Sequence, residues 1–171
     1  LPTIFLNLLF YRYLTKDAML QTYYGTKSKF LIEVNCIIFG FWNKELHLLL
    51  KRRTIEPMKN EWSLMGGYME DGESLTKTAE KVLYRYTHEE KIYMEQIGAY
   101  GEIDSVLNER IISVAFYALV HAEKFNDFIA NKIVAKWFNI NTLPKLVFEQ
   151  NQMVEDAIKL LQYKVSTQPV A

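Results

Sequence analysis

The apolar positions change period along the chain, and each change marks an element. FLIEVNCIIFGFW, Phe30 to Trp42, is rich in β-branched and aromatic residues and predicts a strand. Asn43-Lys44-Glu45 predicts a turn, and LHLLLKRR, Leu46 to Arg53, the return strand. TIEPMKNEW reads as a loop, with Pro57 barring regular structure. Trp62 to Met69 is a short extended segment carrying Gly66-Gly67, a pair that permits positive φ or close backbone approach.

The period then lengthens. Leu75, Ala79, Val82, Leu83 and Tyr86 share one face of an amphipathic helix expected from Ser74 to Thr87. Asp71, Glu73 and Ser74 supply acidic or capping groups at its start. KIYMEQIGAYGEID and RIISVAFYALVHAE are strand-like, with SVLNE between them, and Ala135 to Ile140 is a further short strand. A last helix is expected from Asn151 to Tyr163, with Met153, Val154, Ala157, Ile158 and Leu161 on one face. Two helices around a mixed set of strands predict an α/β sandwich. No Rossmann or P-loop glycine motif is present.

Composition narrows this picture. With 171 residues, half of them hydrophobic, the chain can bury one sizeable core, so Met19 to Ala171 is expected to form one domain. The formal charge is zero, which argues against broad electrostatic binding of nucleic acid. Lys51-Arg52-Arg53 reads first as a solvated strand end. Cys36 is the single cysteine and excludes an intramolecular disulfide; its apolar surroundings predict a core thiol in a cytoplasmic protein. The opening LPTIFLNLLFYRYLTKDA is too short to span a bilayer and lacks signal-peptide features. Residues 1–18 read either as a non-native extension ahead of Met19 or as an N-terminal helix.

Residues Gly67 to His88 resemble the signature box of the Nudix family, G-x5-E-x7-R-E-U-x-E-E-x-G-U, with U a bulky apolar residue. Gly67 takes the opening glycine and Glu73 the first glutamate, while Lys81 stands at the arginine. Val82 replaces the next glutamate and Leu83 keeps the apolar position. Arg85 and Tyr86 stand at the paired glutamates, and His88 replaces the closing glycine. The resemblance implies a Nudix-type α/β/α sandwich with a mixed sheet. It also implies a defect in chemistry, because Mg²⁺ needs octahedral oxygen ligation and the family helix supplies it from glutamates one turn apart. A positive charge about 5 Å from Mg²⁺ costs several kcal/mol even at an effective dielectric near 20. The box therefore predicts no metal cofactor and no catalytic residue.

A second resemblance is more specific. CIIFGF (Cys36 to Phe41), EWSLMGGY (Glu61 to Tyr68), YMEQIGAYGEID (Tyr93 to Asp104), ERIISVAFYAL (Glu109 to Leu119) and Leu143 to Leu161 carry it. The chain is similar to the effector domain of Nudix-related transcriptional regulators, most of all the arabinose-responsive branch of Bacteroidetes. That resemblance implies a homodimeric repressor domain that binds a sugar effector, L-arabinose first, with DNA held by a C-terminal winged helix-turn-helix absent from this chain. STQPVA (Ser166 to Ala171) stands where the family's connection to that module begins.

A pentose pocket needs planar hydrogen-bonding side chains and an aromatic face. Glu102, Asp104, Glu109 and Arg110, at the ends of two strands bordering the expected cleft, are candidates, with surface ion pairing as their plainer role. Lys51, Arg52 and Trp62 are the candidates on the other side, Trp62 and Trp137 otherwise being core residues. His47 and His121 lack metal-ligand spacing and are expected at the surface or at strand ends. The competing readings are a Nudix hydrolase of a nucleoside diphosphate derivative with atypical metal ligands, and an interaction domain that neither binds sugar nor hydrolyses.

Overall fold

The computed structural model describes residues 30–88, 91–101, 111–121 and 135–167. The extension expected at residues 1–18 lies outside them, as does the end of the STQPVA segment. Among the described residues no helix is long and apolar enough to cross a membrane.

β1 (Leu31–Trp42) turns at Asn43 and Lys44 into β2 (Glu45–Arg52). Both turn residues take positive φ, 50° and 65°, the backbone twist that suits a two-residue hairpin. The extended segment expected from Trp62 to Met69 divides into β3 (Trp62–Ser63) and β4 (Met65–Tyr68), which pair with different strands. α1 (Leu75–Thr87) follows, then β5 (Met94–Tyr100), β6 (Ile111–Val120), β7 (Ala135–Asn139) and α2 (Gln150–Thr167).

These strands form a seven-stranded mixed sheet in the order β3-β2-β1-β6-β5, with β4 pairing β1 and β7 pairing β2. β1 is central and runs parallel to β6 from Leu31↔Ile111 to Gly40↔Val120. Its other edge is shared: β2 pairs with Phe39 to Trp42, and β4 pairs with Glu33 to Cys36. The sheet therefore splits beside the first half of β1, between the end of β2 and β4.

Alternation along β1 builds two cores. Val34, Cys36 and Ile38 pack with Ala79, Val82, Leu83 and Tyr86 of α1. Ile37 and Phe39 pack with Met153, Val154 and Ala157 of α2. A strand covered on both faces is apolar at successive positions, as this one is from Val34 to Phe39 apart from Asn35. The expected α/β/α sandwich is observed.

Ser74 caps α1, its hydroxyl accepting from the Lys77 N–H at 3.1 Å. His88 ends the helix at φ 55°, donating its backbone N–H to Tyr84 O at 2.8 Å. That left-handed position is the one the Nudix signature assigns to glycine, so the backbone turn is retained without the residue. α2 runs four residues past its expected end at Tyr163. The Ser166 and Thr167 hydroxyls bond to the Tyr163 carbonyl at 2.8 and 2.7 Å, so these polar residues close the last turn instead of leaving it.

Two expectations about single residues are corrected or confirmed here. His47 lies near the start of β2, one of its two expected places, but it is buried and not at the surface: its ring stacks on Trp42 with centroids 3.5 Å apart. Cys36 is in the core, and burial pushes its thiol up to about 12.

Candidate functional site

The split in the sheet opens a cleft of about 710 Å³. One wall is the end of β2, carrying Lys51 and Arg52 with Arg53 just beyond; another is β4 with Gly66, Gly67 and Tyr68. α1 closes the third side with Thr78, Lys81, Val82, Arg85 and Tyr86, and Glu33 of β1 lies at the back.

The glycine pair is explained by what lies beside it. A Cβ on Gly67 would stand 3.1 Å from Val82 Cγ2, so the missing side chain lets α1 close on β4. A Cβ on Gly66 would stand 2.9 Å from Asn35 Oδ1 and 3.3 Å from a Glu33 carboxylate oxygen. Each glycine makes room on one face of the sheet.

The carboxylates that the box retains are already engaged. Lys81 Nζ donates to Glu73 Oε1 at 2.6 Å and to Glu70 Oε2 at 3.1 Å. Glu73 Oε2 also accepts from the Thr78 hydroxyl at 3.1 Å. The hydrogen bond from Lys81 holds the Glu73 carboxyl below its usual range, and Glu73 in turn raises Lys81. Where the family helix aims further carboxylates, Val82 is buried in the core, Arg85 is exposed, and Tyr86 accepts a hydrogen bond from Lys51 Nζ at 2.8 Å. Among the described residues no group of three or more His, Cys, Asp or Glu converges as a metal site. The donor set among the described residues does not fit the magnesium of a Nudix hydrolase.

The electrostatics of the cleft are cationic. Lys51, Arg52, Arg53, Lys81 and Arg85 line it against two carboxylates, Glu33 and Glu70. Lys81 is paired; the other four cations have no carboxylate partner among the described residues. Three of them are instead held by neutral groups. Lys51 lies 5.2 Å from the Tyr86 ring centroid, and Arg52 stacks 4.2 Å from that of Trp62 while donating to Asn60 O. Arg53 Nε donates to Pro57 O at 2.9 Å, and its guanidinium stands 5.3 Å from the Phe148 ring. Aromatic faces and carbonyls orient a cation without neutralising it.

Of the sequence candidates, Lys51 and Arg52 meet in this cleft. Trp62 does not line it; its face supports Arg52 and its edge meets Phe138 at 4.8 Å. Lys51-Arg52-Arg53 stands at the end of β2 as expected, and that strand end is a wall of the cleft. Glu102, Asp104, Glu109 and Arg110 lie outside the described residues. Sequence reading did not place Arg53, Glu33, Lys81 and Arg85 together as lining residues of this cleft. A signal existed: the box carries Arg85 at a glutamate position and keeps a cation, Lys81, at the arginine, and a second cationic run stands at the end of the facing strand.

The layers, the strand order and the split beside β1 define a Nudix fold, and the chain is similar to transcriptional regulators that carry that fold. No family profile matches the chain. It is 25% identical over 138 residues to the ADPR responsive transcriptional repressor NtrR of Acinetobacter baylyi, covering 78% of this chain and 55% of that protein. The crystal structure of Shewanella oneidensis NrtR is similar with a TM-score of 0.71 and 27% identity, covering 78% of this chain and 64% of that one. An ADP-ribose pyrophosphatase of Methanocaldococcus jannaschii is 28% identical over 124 residues, 70% of each chain. The chain thus spans about half of the Acinetobacter repressor and less than two thirds of the Shewanella regulator.

Proposed function

We propose that this is the effector-sensing domain of a transcriptional regulator and that its effector is a phosphorylated sugar bound without catalysis. The observation that carries the reading is the cleft itself: four cations without carboxylate partners among the described residues line it beside the helix that carries the box. A diphosphate would bridge Lys51, Arg52 or Arg53 of one wall and Arg85 of the other, supplying the charge that these groups lack. ADP-ribose, named for the Acinetobacter relative, has that chemistry and is the first ligand to test. L-arabinose, the effector implied by the sequence resemblance, is neutral and gives the cations no anion to meet. Homodimerisation and operator binding through a further domain, in the cytoplasm, complete the reading by analogy with regulators.

The hydrolase alternative keeps two supporting observations. Glu73 survives, and the Methanocaldococcus relative is named a pyrophosphatase. Thermal unfolding with ADP-ribose, with and without Mg²⁺, separates the two. A ligand at roughly a hundred times its dissociation constant contributes about 2.7 kcal/mol, or about 5–10 °C for a domain of this size. The sensor reading expects that shift without metal and no loss of ADP-ribose over hours with Mg²⁺. Metal-dependent turnover abolished by Glu73→Gln would overturn it. A shift with L-arabinose alone would return the effector to a neutral pentose.

A further inference from the structure

Glu33 is the least explained residue of the cleft. It is a carboxylate at the back of a cationic pocket, yet no cation pairs with it among the described residues. Its Oε2 accepts instead from Asn35 Nδ2 at 3.1 Å and from the Ser113 hydroxyl at 3.2 Å. Both donors use the same oxygen, so Oε1 is left with no hydrogen-bond partner among the described residues. Oε1 lies on the side of Gly66, where a Cβ would approach it to 3.3 Å, and the glycine leaves that side open.

The group that fixes this carboxylate is itself fixed. Asn35 is buried, and its Oδ1 accepts from Gln150 Nε2 at 3.2 Å. Gln150, also buried, accepts from the Leu64 backbone N–H at 2.8 Å. A backbone donor at one end and a carboxylate at the other leave the two amides one orientation, so Asn35 always presents its NH₂ to Glu33. The network holds an acceptor-only oxygen toward the cleft and offers nothing that satisfies it.

From this geometry we infer that Glu33 is the specificity-determining residue of the site, accepting hydroxyl hydrogens from the sugar portion of a ligand whose phosphates meet the cations. Ser113 and Asn35 are its positioning residues. The inference rests on the reading of the cleft as a phosphosugar site and adds what that site selects. The cations alone would take any phosphate; a fixed carboxylate repels bare phosphate and rewards a ligand that carries hydroxyls beside it.

The test compares ADP-ribose with inorganic pyrophosphate, which has the charge and none of the sugar hydroxyls. Both are titrated without metal, by calorimetry or by amide chemical shifts, into wild type, Glu33→Gln and Ser113→Ala. Glu33→Gln is expected to weaken ADP-ribose about fivefold to tenfold while pyrophosphate holds or tightens, because a repelling charge has gone. Ser113→Ala keeps the charge and is expected to lower the preference for ADP-ribose with pyrophosphate unchanged. Thermal midpoints and circular dichroism establish that each variant is folded. If both ligands tighten alike in Glu33→Gln, or neither changes, Glu33 selects nothing and the inference is overturned. If wild type binds neither ligand, the phosphosugar reading fails first and takes this inference with it.

Discussion

Lys51 Nζ donates to the Tyr86 hydroxyl at 2.8 Å, joining the end of β2 to the helix that faces it across the cleft. Tyr86 occupies the box position of a metal-binding glutamate, so a site that would have attracted Mg²⁺ now orients an ammonium group. The phenol can do this because its ring lies in the α1 core while its oxygen reaches the cleft. Tyr86→Phe keeps the ring and removes the acceptor. Urea unfolding is expected to show a loss of about 0.5–1.5 kcal/mol, the net worth of one hydrogen bond. ADP-ribose affinity is expected to fall by a few-fold, because Lys51 is freed rather than deleted. An unchanged affinity would remove Lys51 from the ligand-binding set.

Arg85 separates charge from fold. Its side chain is exposed and makes no ion pair among the described residues, so Arg85→Glu is expected to leave stability within about 0.5 kcal/mol. Affinity for ADP-ribose is expected to fall at least tenfold. In wild type the affinity is expected to decline as salt rises from low to physiological strength, since exposed charges are progressively screened over that range. A carboxylate returned to this helix should not bring Mg²⁺-dependent hydrolysis, with Val82 in the core and Glu73 still held by Lys81. Calorimetry at two salt concentrations, a urea unfolding curve and an assay for AMP released from ADP-ribose check these four statements together.

The fold was legible in the sequence wherever one face of an element was apolar and the other was not. α1 announced itself through Leu75, Ala79, Val82, Leu83 and Tyr86, and four of these pack as buried core. β1 was equally plain, because both faces are covered and its apolar run is nearly unbroken. The division of Trp62 to Tyr68 between two strand partners was not legible, since pairing is settled by the split in the sheet and leaves no local pattern. His47 misled for a related reason: a polar ring becomes a core residue when a neighbouring indole covers it. The site was half legible. The loss of three box glutamates, one of them to the cation Arg85, is written in the sequence, but the nearness of Arg53 and Glu33 to Lys81 and Arg85 depends on strands that approach only after folding.

The Glu73–Lys81 pair gives the cleft a pH signature. Glu73 is held below its ordinary value, so what it contributes to stability is present above that value and is lost as pH falls through the folded one. Lys81 is raised, so its contribution is present below the ordinary lysine value and is lost as pH rises through the folded one. Lys81→Met removes both. The difference in thermal midpoint between wild type and this variant is expected to be level from about pH 5 to 10. It should narrow below the carboxylate range and again above the lysine range. A difference that stays constant into acid would mean that Lys81 acts by packing and not by its charge.

Gln150 tests the polarity of the buried network directly. Its carbonyl accepts from Leu64 N–H at 2.8 Å and its NH₂ donates to Asn35 Oδ1 at 3.2 Å. Asn35 cannot turn over to help, because its own NH₂ is needed by the Glu33 carboxylate. Gln150→Glu preserves size and the acceptor for Leu64, and replaces the donating NH₂ with an oxygen facing an oxygen. An ionised carboxyl there is buried and repelled, so its folded value is raised and it stays protonated at pH values where the unfolded chain has released the proton. The sign follows: the variant is expected to be destabilised at neutral pH by several kcal/mol, the cost of an unpaired buried charge or of protonating it. Stability should return as pH falls toward the unfolded carboxyl value of about 4.3, where the introduced group can donate to Asn35 as the amide did. Gln150→Leu gives the contrast. It leaves Leu64 N–H and Asn35 Oδ1 without their partners, at about 1–3 kcal/mol for each unmade bond, and has no proton with which to recover. Unfolding curves for both variants from pH 4 to 8 should therefore diverge on acidification. If they run parallel, the amide at position 150 fills space and does not set the direction in which Asn35 and Glu33 face.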